Sequence, residues 1–151
     1  MALMYWQWRP MPGVVWQVDA PAFQTILWAC FFGGILLVLF SSFLIDHFDL
    51  FGLRQVYLFL RAKEYTNSPF ATPLLYRIVR HPLLLGWMIM FWATPVMTQG
   101  HLLFAIAATA YMLIAIPLEE KDLARILGQD YLRYRARTPM VLPWPRRLRS
   151  S

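Results

Sequence analysis

Charged residues, cysteines and polar stretches are all scarce in this sequence. Only 15% of the 151 residues are charged and 59% are hydrophobic, against roughly 25% charged in an ordinary soluble domain. That balance argues against a soluble globular protein. A single cysteine, Cys30, excludes a disulfide framework and a thiolate zinc site, and no metal is expected. Neither an internal repeat nor a low-complexity segment is found. Disorder is excluded in turn, because 7 Trp, 7 Tyr and 11 Phe are far more aromatic surface than a disordered chain carries. What remains to be placed is the apolar majority and a net charge of +6.

The apolar residues fall into long uncharged runs. The 26 residues between Asp19 and Asp46 carry no charged side chain, and as a helix they would reach about 39 Å, enough to cross a bilayer with some tilt. Pro21 suits a first helical turn and the small pair Gly33 and Gly34 suits close helix packing. The run is too long for a signal-peptide core, so it reads as a retained span over about 22–45. A second uncharged stretch, Pro82 to Leu118, is broken by Thr98, Gln99, Gly100 and His101. It is too long for one span and predicts a hairpin with arms at about 82–97 and 102–118, with Pro95 and Pro117 near arm ends. Residues 1–8, MALMYWQW, form an apolar stub that reads either as the end of an earlier span or as an interfacial anchor.

The basic residues explain the charge. Arg9 precedes the first span, five lie from Arg54 to Arg80, none lies in the hairpin turn and eight follow from Lys121 onward. By the positive-inside rule the loop 46–81 and the tail 119–151 are cytoplasmic. The same unevenness argues against nucleic acid, since no basic stretch is interleaved with aromatics as a single-strand binder requires. After Leu118 the pattern predicts an amphipathic helix whose first turn holds Glu119, Glu120 and Asp122, ended or kinked by Gly128. The predicted architecture is an all-α membrane protein: a single domain over 1–151, with one long span, a transmembrane helical hairpin and a cytoplasmic amphipathic C-terminal helix.

Polar groups at a membrane boundary are costly unless paired or solvated. Arg80 and His81 precede the hairpin, Glu119 and Glu120 follow it, and a hairpin returns to the side it left. The two pairs should therefore meet, either to hold a zwitterion or as a plain interfacial ion pair. Asp46, His47 and Asp49, after the first span, are candidate bases or a boundary cluster capping the helix. Trp87, Phe91 and Trp92 either line an apolar site or pack the hairpin.

Arg80-His81-Pro82 with Gly86, then a hairpin, then Glu119-Glu120-x-x-Leu123, Gly128, Tyr131, Tyr134, Pro139 and Pro143 resembles the core of the membrane methyltransferases related to isoprenylcysteine carboxyl methyltransferase. The runs Phe43 to Arg61 and Phe91 to Ala105 further resemble the bacterial methanethiol S-methyltransferases. The resemblance implies an S-adenosylmethionine site on the cytoplasmic side of a helical bundle, and no G-x-G-x-x-G of a soluble dinucleotide fold is present. By that likeness Tyr76, His81, Pro82, Leu83 and Leu84 line the cofactor, and Glu119 meets it with Glu120 as neighbour. Arg80 suits its carboxylate and a Glu its ammonium or ribose hydroxyls.

Two departures bear on specificity. Leu84 stands where the family has Tyr, removing one hydroxyl or aromatic contact. Ala115 stands where isoprenylcysteine enzymes hold a substrate carboxylate with Arg, which disfavours a prenylcysteine and favours a small uncharged thiol. The implied activity is methylation of methanethiol to dimethyl sulfide in a multi-pass protein of the bacterial inner membrane, surrounded by lipid. The alternatives are a lipid or other hydrophobic acceptor, and a truncated non-catalytic module. The resemblance also implies further spans before the residue matching Met1.

Overall fold

The computed structural model describes residues 11–44, 53–61 and 74–143. In chain order the elements are β1 (Val14–Gln17), α1 (Pro21–Leu44), α2 (Leu53–Leu60), a 3-10 turn (Leu74–Arg77), α3 (Pro82–Trp92), β2 (Val96–Thr98), α4 (Gln99–Leu127) and α5 (Gln129–Arg137). The chain is predominantly helical, and α1 and α4 are each long and apolar enough to cross a membrane. At 24 and 29 residues they reach about 36 and 43 Å. Their apolar side chains face outward: Phe23, Leu36 and Phe43 on α1 and Tyr111, Ile114 and Leu118 on α4 are all exposed. A soluble core helix would bury such a surface, whereas lipid solvates it.

α1 begins at Pro21, one residue before the expected 22–45 span, and is held there by Gln24, whose Nε2 donates to the Val18 carbonyl at 2.7 Å. It packs along α3, which packs in turn on α4. The α1–α3 crossing is possible because two glycines meet. A Cβ on Gly34 would lie 2.9 Å from the Gly86 carbonyl oxygen, and one on Gly86 would lie 2.9 Å from the Gly34 carbonyl oxygen. Backbone touches backbone, the close approach that small residues permit between helices in lipid.

Three expectations are corrected. First, the arm expected over 82–97 is helical only to Trp92. Pro95 lacks an N–H and disfavours the helical conformation at Thr94, and the chain instead forms β2, paired antiparallel with β1 in the register Val14 to Thr98, Trp16 to Met97 and Gln17 to Val96. Val18 N–H donates to the Pro95 carbonyl at 2.9 Å and Gln99 N–H to the Gly13 carbonyl at 2.8 Å, extending the ribbon at both ends. Among the described residues the fold is therefore helical with one short two-stranded ribbon.

Second, the expected turn at Thr98 to His101 is the start of α4. Thr98 is its N-cap, accepting from the His101 N–H at 3.2 Å, and this satisfies one of the donors that a helix start leaves open. Third, the arm expected over 102–118 does not end there, and no new helix starts directly after Leu118. α4 runs through Pro117 and both glutamates to Leu127. Proline costs one helical hydrogen bond, a loss that an apolar helix tolerates within a bundle. Gly128 does end the helix, and α5 follows it directly. The loop expected over 46–81 contains α2 and the 3-10 turn.

The consequence is a molecule with two different ends. The ribbon joins the start of α1 to the α3–α4 link at one end. The start of α3, the last turns of α4, and α5 lie together at the other.

Candidate functional site

Glu120 enters the charged end through helix periodicity. Ala105, Met112, Ile116 and Glu120 are the buried residues of α4, spaced by seven, four and four, one face of a helix. The stripe that packs the bundle thus ends on a carboxylate that is only 2% exposed. A buried charge must be paired and hydrogen-bonded, and Glu120 is. Its Oε1 accepts from Arg80 Nε at 2.7 Å and faces His81 Nε2 at 3.2 Å, while Oε2 lies 3.2 Å from Arg135 Nε.

Arg80 is likewise buried, at 6% exposure. Its Nη1 donates to the carbonyls of Arg135 and Thr138, both at 2.8 Å. The backbone repeats the connection, with Arg80 N–H donating to the Pro139 carbonyl at 2.9 Å and His81 N–H to the Met140 carbonyl at 3.1 Å. The segment after α5 thus straps the two residues that open α3. His81 is the N-cap residue of α3, with Pro82 at the first helical position, where a missing N–H costs nothing.

Glu119, one residue earlier and off the buried stripe, behaves differently. Its side chain is 57% exposed, and its Oε2 lies 3.8 Å from His81 Nδ1. His81 therefore has an inner nitrogen on a buried carboxylate and an outer nitrogen toward an open one. Tyr76, on the 3-10 turn, stands near the same acid. Its backbone carbonyl accepts from Tyr134 Oη at 2.6 Å, yet its own hydroxyl is buried with no hydrogen-bond partner among the described residues. Burial first, and Glu119 second, push that hydroxyl up to about 12. Tyr131 on α5 is pushed up to about 12 by burial, with Glu120 adding to the effect, and burial raises Tyr134 further.

Of the residues expected from sequence, Tyr76, Arg80, His81, Glu119 and Glu120 meet at this end. Pro82 is buried behind them, and Leu83 and Leu84 are half-buried on the first turn of α3. Asp46, His47 and Asp49 lie outside the described residues. Phe91 packs edge-on against Phe104 at 5.0 Å, and Trp92 Nε1 donates to Thr109 Oγ1 at 3.0 Å, so both tie α3 to α4. Sequence reasoning missed Arg135 and Thr138. Tyr131 and Arg135 share a face of α5 by their spacing of four, which was the signal available.

The chain is 56% identical over 147 residues to a protein named methanethiol S-methyltransferase from Mycobacterium tuberculosis, covering 97% of this chain and 60% of that one. It is 51% identical over 144 residues to one of the same name from Crocosphaera subtropica, covering 95% and 56%. A third, methanethiol S-methyltransferase 1 of Bradyrhizobium diazoefficiens, is 49% identical over 146 residues, covering 97% and 51%. The chain thus spans between about half and three fifths of the length of these relatives. No family model and no solved structure matches it.

Proposed function

As a homologue, over nearly its whole length, of proteins named methanethiol S-methyltransferase, this chain is, we propose, a membrane methyltransferase. It transfers a methyl group from S-adenosylmethionine to a small thiol, methanethiol, giving dimethyl sulfide. The observation that carries the reading beside the likeness is the two-sided arrangement at the charged end. Arg80 and Glu120 form a buried scaffold, while Glu119, the outer nitrogen of His81 and the unpartnered Tyr76 hydroxyl remain for a ligand.

That donor set suits the proposed cofactor. A carboxylate matches an ammonium or ribose hydroxyls, a phenol donates to a carboxylate or accepts from an amine, and Leu83 and Leu84 offer apolar surface to a base. Tyr76, His81, Pro82, Leu83, Leu84 and Glu119 would hold the group directly, with Arg80 and Glu120 fixing their positions from within. When bound, S-adenosylmethionine supplies an electrophilic methyl group and a neutral leaving group.

The protein's own work is then alignment and exclusion of water. It must also favour thiolate over thiol, since a small alkyl thiol titrates well above neutrality. Asp46, His47 and Asp49, which follow the end of α1 in sequence, are the proposed proton acceptors. By the positive-inside rule the basic loop and tail support a cytoplasmic placement of this end, in the proposed bacterial inner membrane. Lipid acceptors and a non-catalytic role are not favoured by the relatives' names.

The test is direct. The purified 151-residue chain in detergent, given methyl-labelled S-adenosylmethionine and methanethiol, should release labelled dimethyl sulfide into the headspace. Label passing into a lipid extract instead, or no transfer to either acceptor, would contradict the proposal.

A further inference from the structure

His81 stands between two acids that differ in burial, and its outer nitrogen can serve a ligand only if the ring is held in one orientation. Glu120 provides the hold. A carboxylate paired with two guanidinium groups only accepts hydrogen bonds, so the tautomer that suits the 3.2 Å contact with Oε1 is the one with its proton on Nε2. That leaves Nδ1, 3.8 Å from Glu119 Oε2, as the nitrogen whose state is open to a ligand. The question is what keeps the carboxylate plane turned so that one oxygen stays on His81. Arg80 shares Oε1 and is itself fixed by two carbonyls. The other oxygen is held by Arg135, reaching in from α5 at 3.2 Å with its side chain 49% exposed.

We propose that Arg135 is a positioning residue of this site: by holding one carboxylate oxygen of Glu120 it fixes the carboxylate plane with the other oxygen on Arg80 and His81, and so orients the imidazole with Nδ1 toward Glu119. The inference rests on the reading of this end as a ligand site but uses a separate observation, the α5 ion pair. Arg135 meets Glu120 directly, and Glu120 in turn faces His81. The Arg135 backbone carbonyl accepts from Arg80 Nη1, so the main chain of α5 stays engaged when the side chain is changed. The side chain supplies the charge, the backbone supplies the strap, and substitution can separate them.

The experiment uses the full chain in detergent micelles with nitrogen-15 histidine. There are three histidines, His47, His81 and His101, so His81→Gln assigns the signal. The wild-type His81 should show the pattern of a ring protonated at Nε2. In Arg135→Gln that pattern should give way to a mixture of tautomers, and affinity for S-adenosylmethionine by calorimetry should fall about threefold to tenfold, as for a half-exposed pair acting on a buried one. Arg135→Lys, which keeps the charge, should retain most of the wild-type pattern. If Arg135→Gln does not fold, Arg135→Met keeps the stem packed and is judged by the same criteria.

An unchanged His81 spectrum in the folded neutral variant overturns the proposal, and so does an equal disturbance in Arg135→Lys, which would mean packing rather than charge. Absence of S-adenosylmethionine binding in the wild type overturns the proposed function alone, and the spectrum then judges the positioning role by itself.

Discussion

The α1–α3 crossing and the charged end hold the same helices together by opposite means. At the crossing, Gly34 and Gly86 bring two backbones together with no polar side chain between them. At the charged end, Glu120 joins α3, α4 and α5 through Arg80, His81 and Arg135. The crossing tolerates no added atom because each glycine faces the other's backbone carbonyl, which cannot rotate away, beside the side chains of Val38 and Met90. The buried pair at the charged end, Arg80 and Glu120, tolerates no lost partner, since removing either strands a buried charge. One part of the molecule is specified by the absence of side chains and the other by a small set of long ones.

Substitutions separate the two. Arg80→Ala should have the largest effect, about 3–5 kcal/mol of lost stability in detergent unfolding, because it strands a buried carboxylate. It should also abolish S-adenosylmethionine binding. Loss of stability below about 1 kcal/mol would mean that the network is dispensable. Gly86→Ala should cost about 1–3 kcal/mol by forcing α1 and α3 apart, and restoring stability with a lower temperature should restore binding, since no ligand group is touched. Binding lost while the fold stays intact would break the comparison.

A contrast confined to high pH comes from Tyr76. The Tyr76 hydroxyl is held up to about 12 in the folded chain against 10 when unfolded. Below pH 10 both states keep the proton and stability is unaffected. Between pH 10 and 12 the unfolded state sheds it first, so stability falls as pH rises, by about 2–3 kcal/mol at about 1.4 kcal/mol per unit. Tyr76→Phe should remove that share of the decline, measured by unfolding across this range. The crossing, built from Gly34, Val38, Gly86 and Met90, has no titrating group and should contribute nothing to it. An identical pH profile in the variant would show that the hydroxyl is not buried as described.

The sequence made the first region partly legible and the second more so. Pro21 and the uncharged run that follows located α1, and Gly128 located the end of α4, because both act through local backbone chemistry. The ribbon was not legible: Val96, Met97 and Thr98 are too short a run to read as a strand, and their partners lie some eighty residues earlier. Pro117 was read as a helix end, yet an apolar helix within a bundle absorbs one missing hydrogen bond. Arg80, His81, Glu119 and Glu120 were expected to meet, and they do. What periodicity could have added is the phase, since the stripe of Ala105, Met112 and Ile116 turns Glu120 inward and leaves Glu119 out. For Arg135 the spacing of four from Tyr131 marks a shared face, but its partner depends on where α5 docks.

The central claim is that the two adjacent glutamates have divided roles, Glu120 within the scaffold and Glu119 toward the ligand. Calorimetric titration of S-adenosylmethionine into the Glu119→Gln variant, with its unfolding temperature measured in the same detergent, tests it most directly. The account predicts an unfolding temperature close to that of the wild type and affinity reduced about tenfold or more, the loss of a charge-assisted hydrogen bond. Unchanged affinity, or a loss of fold as severe as that of Arg80→Ala, would contradict it.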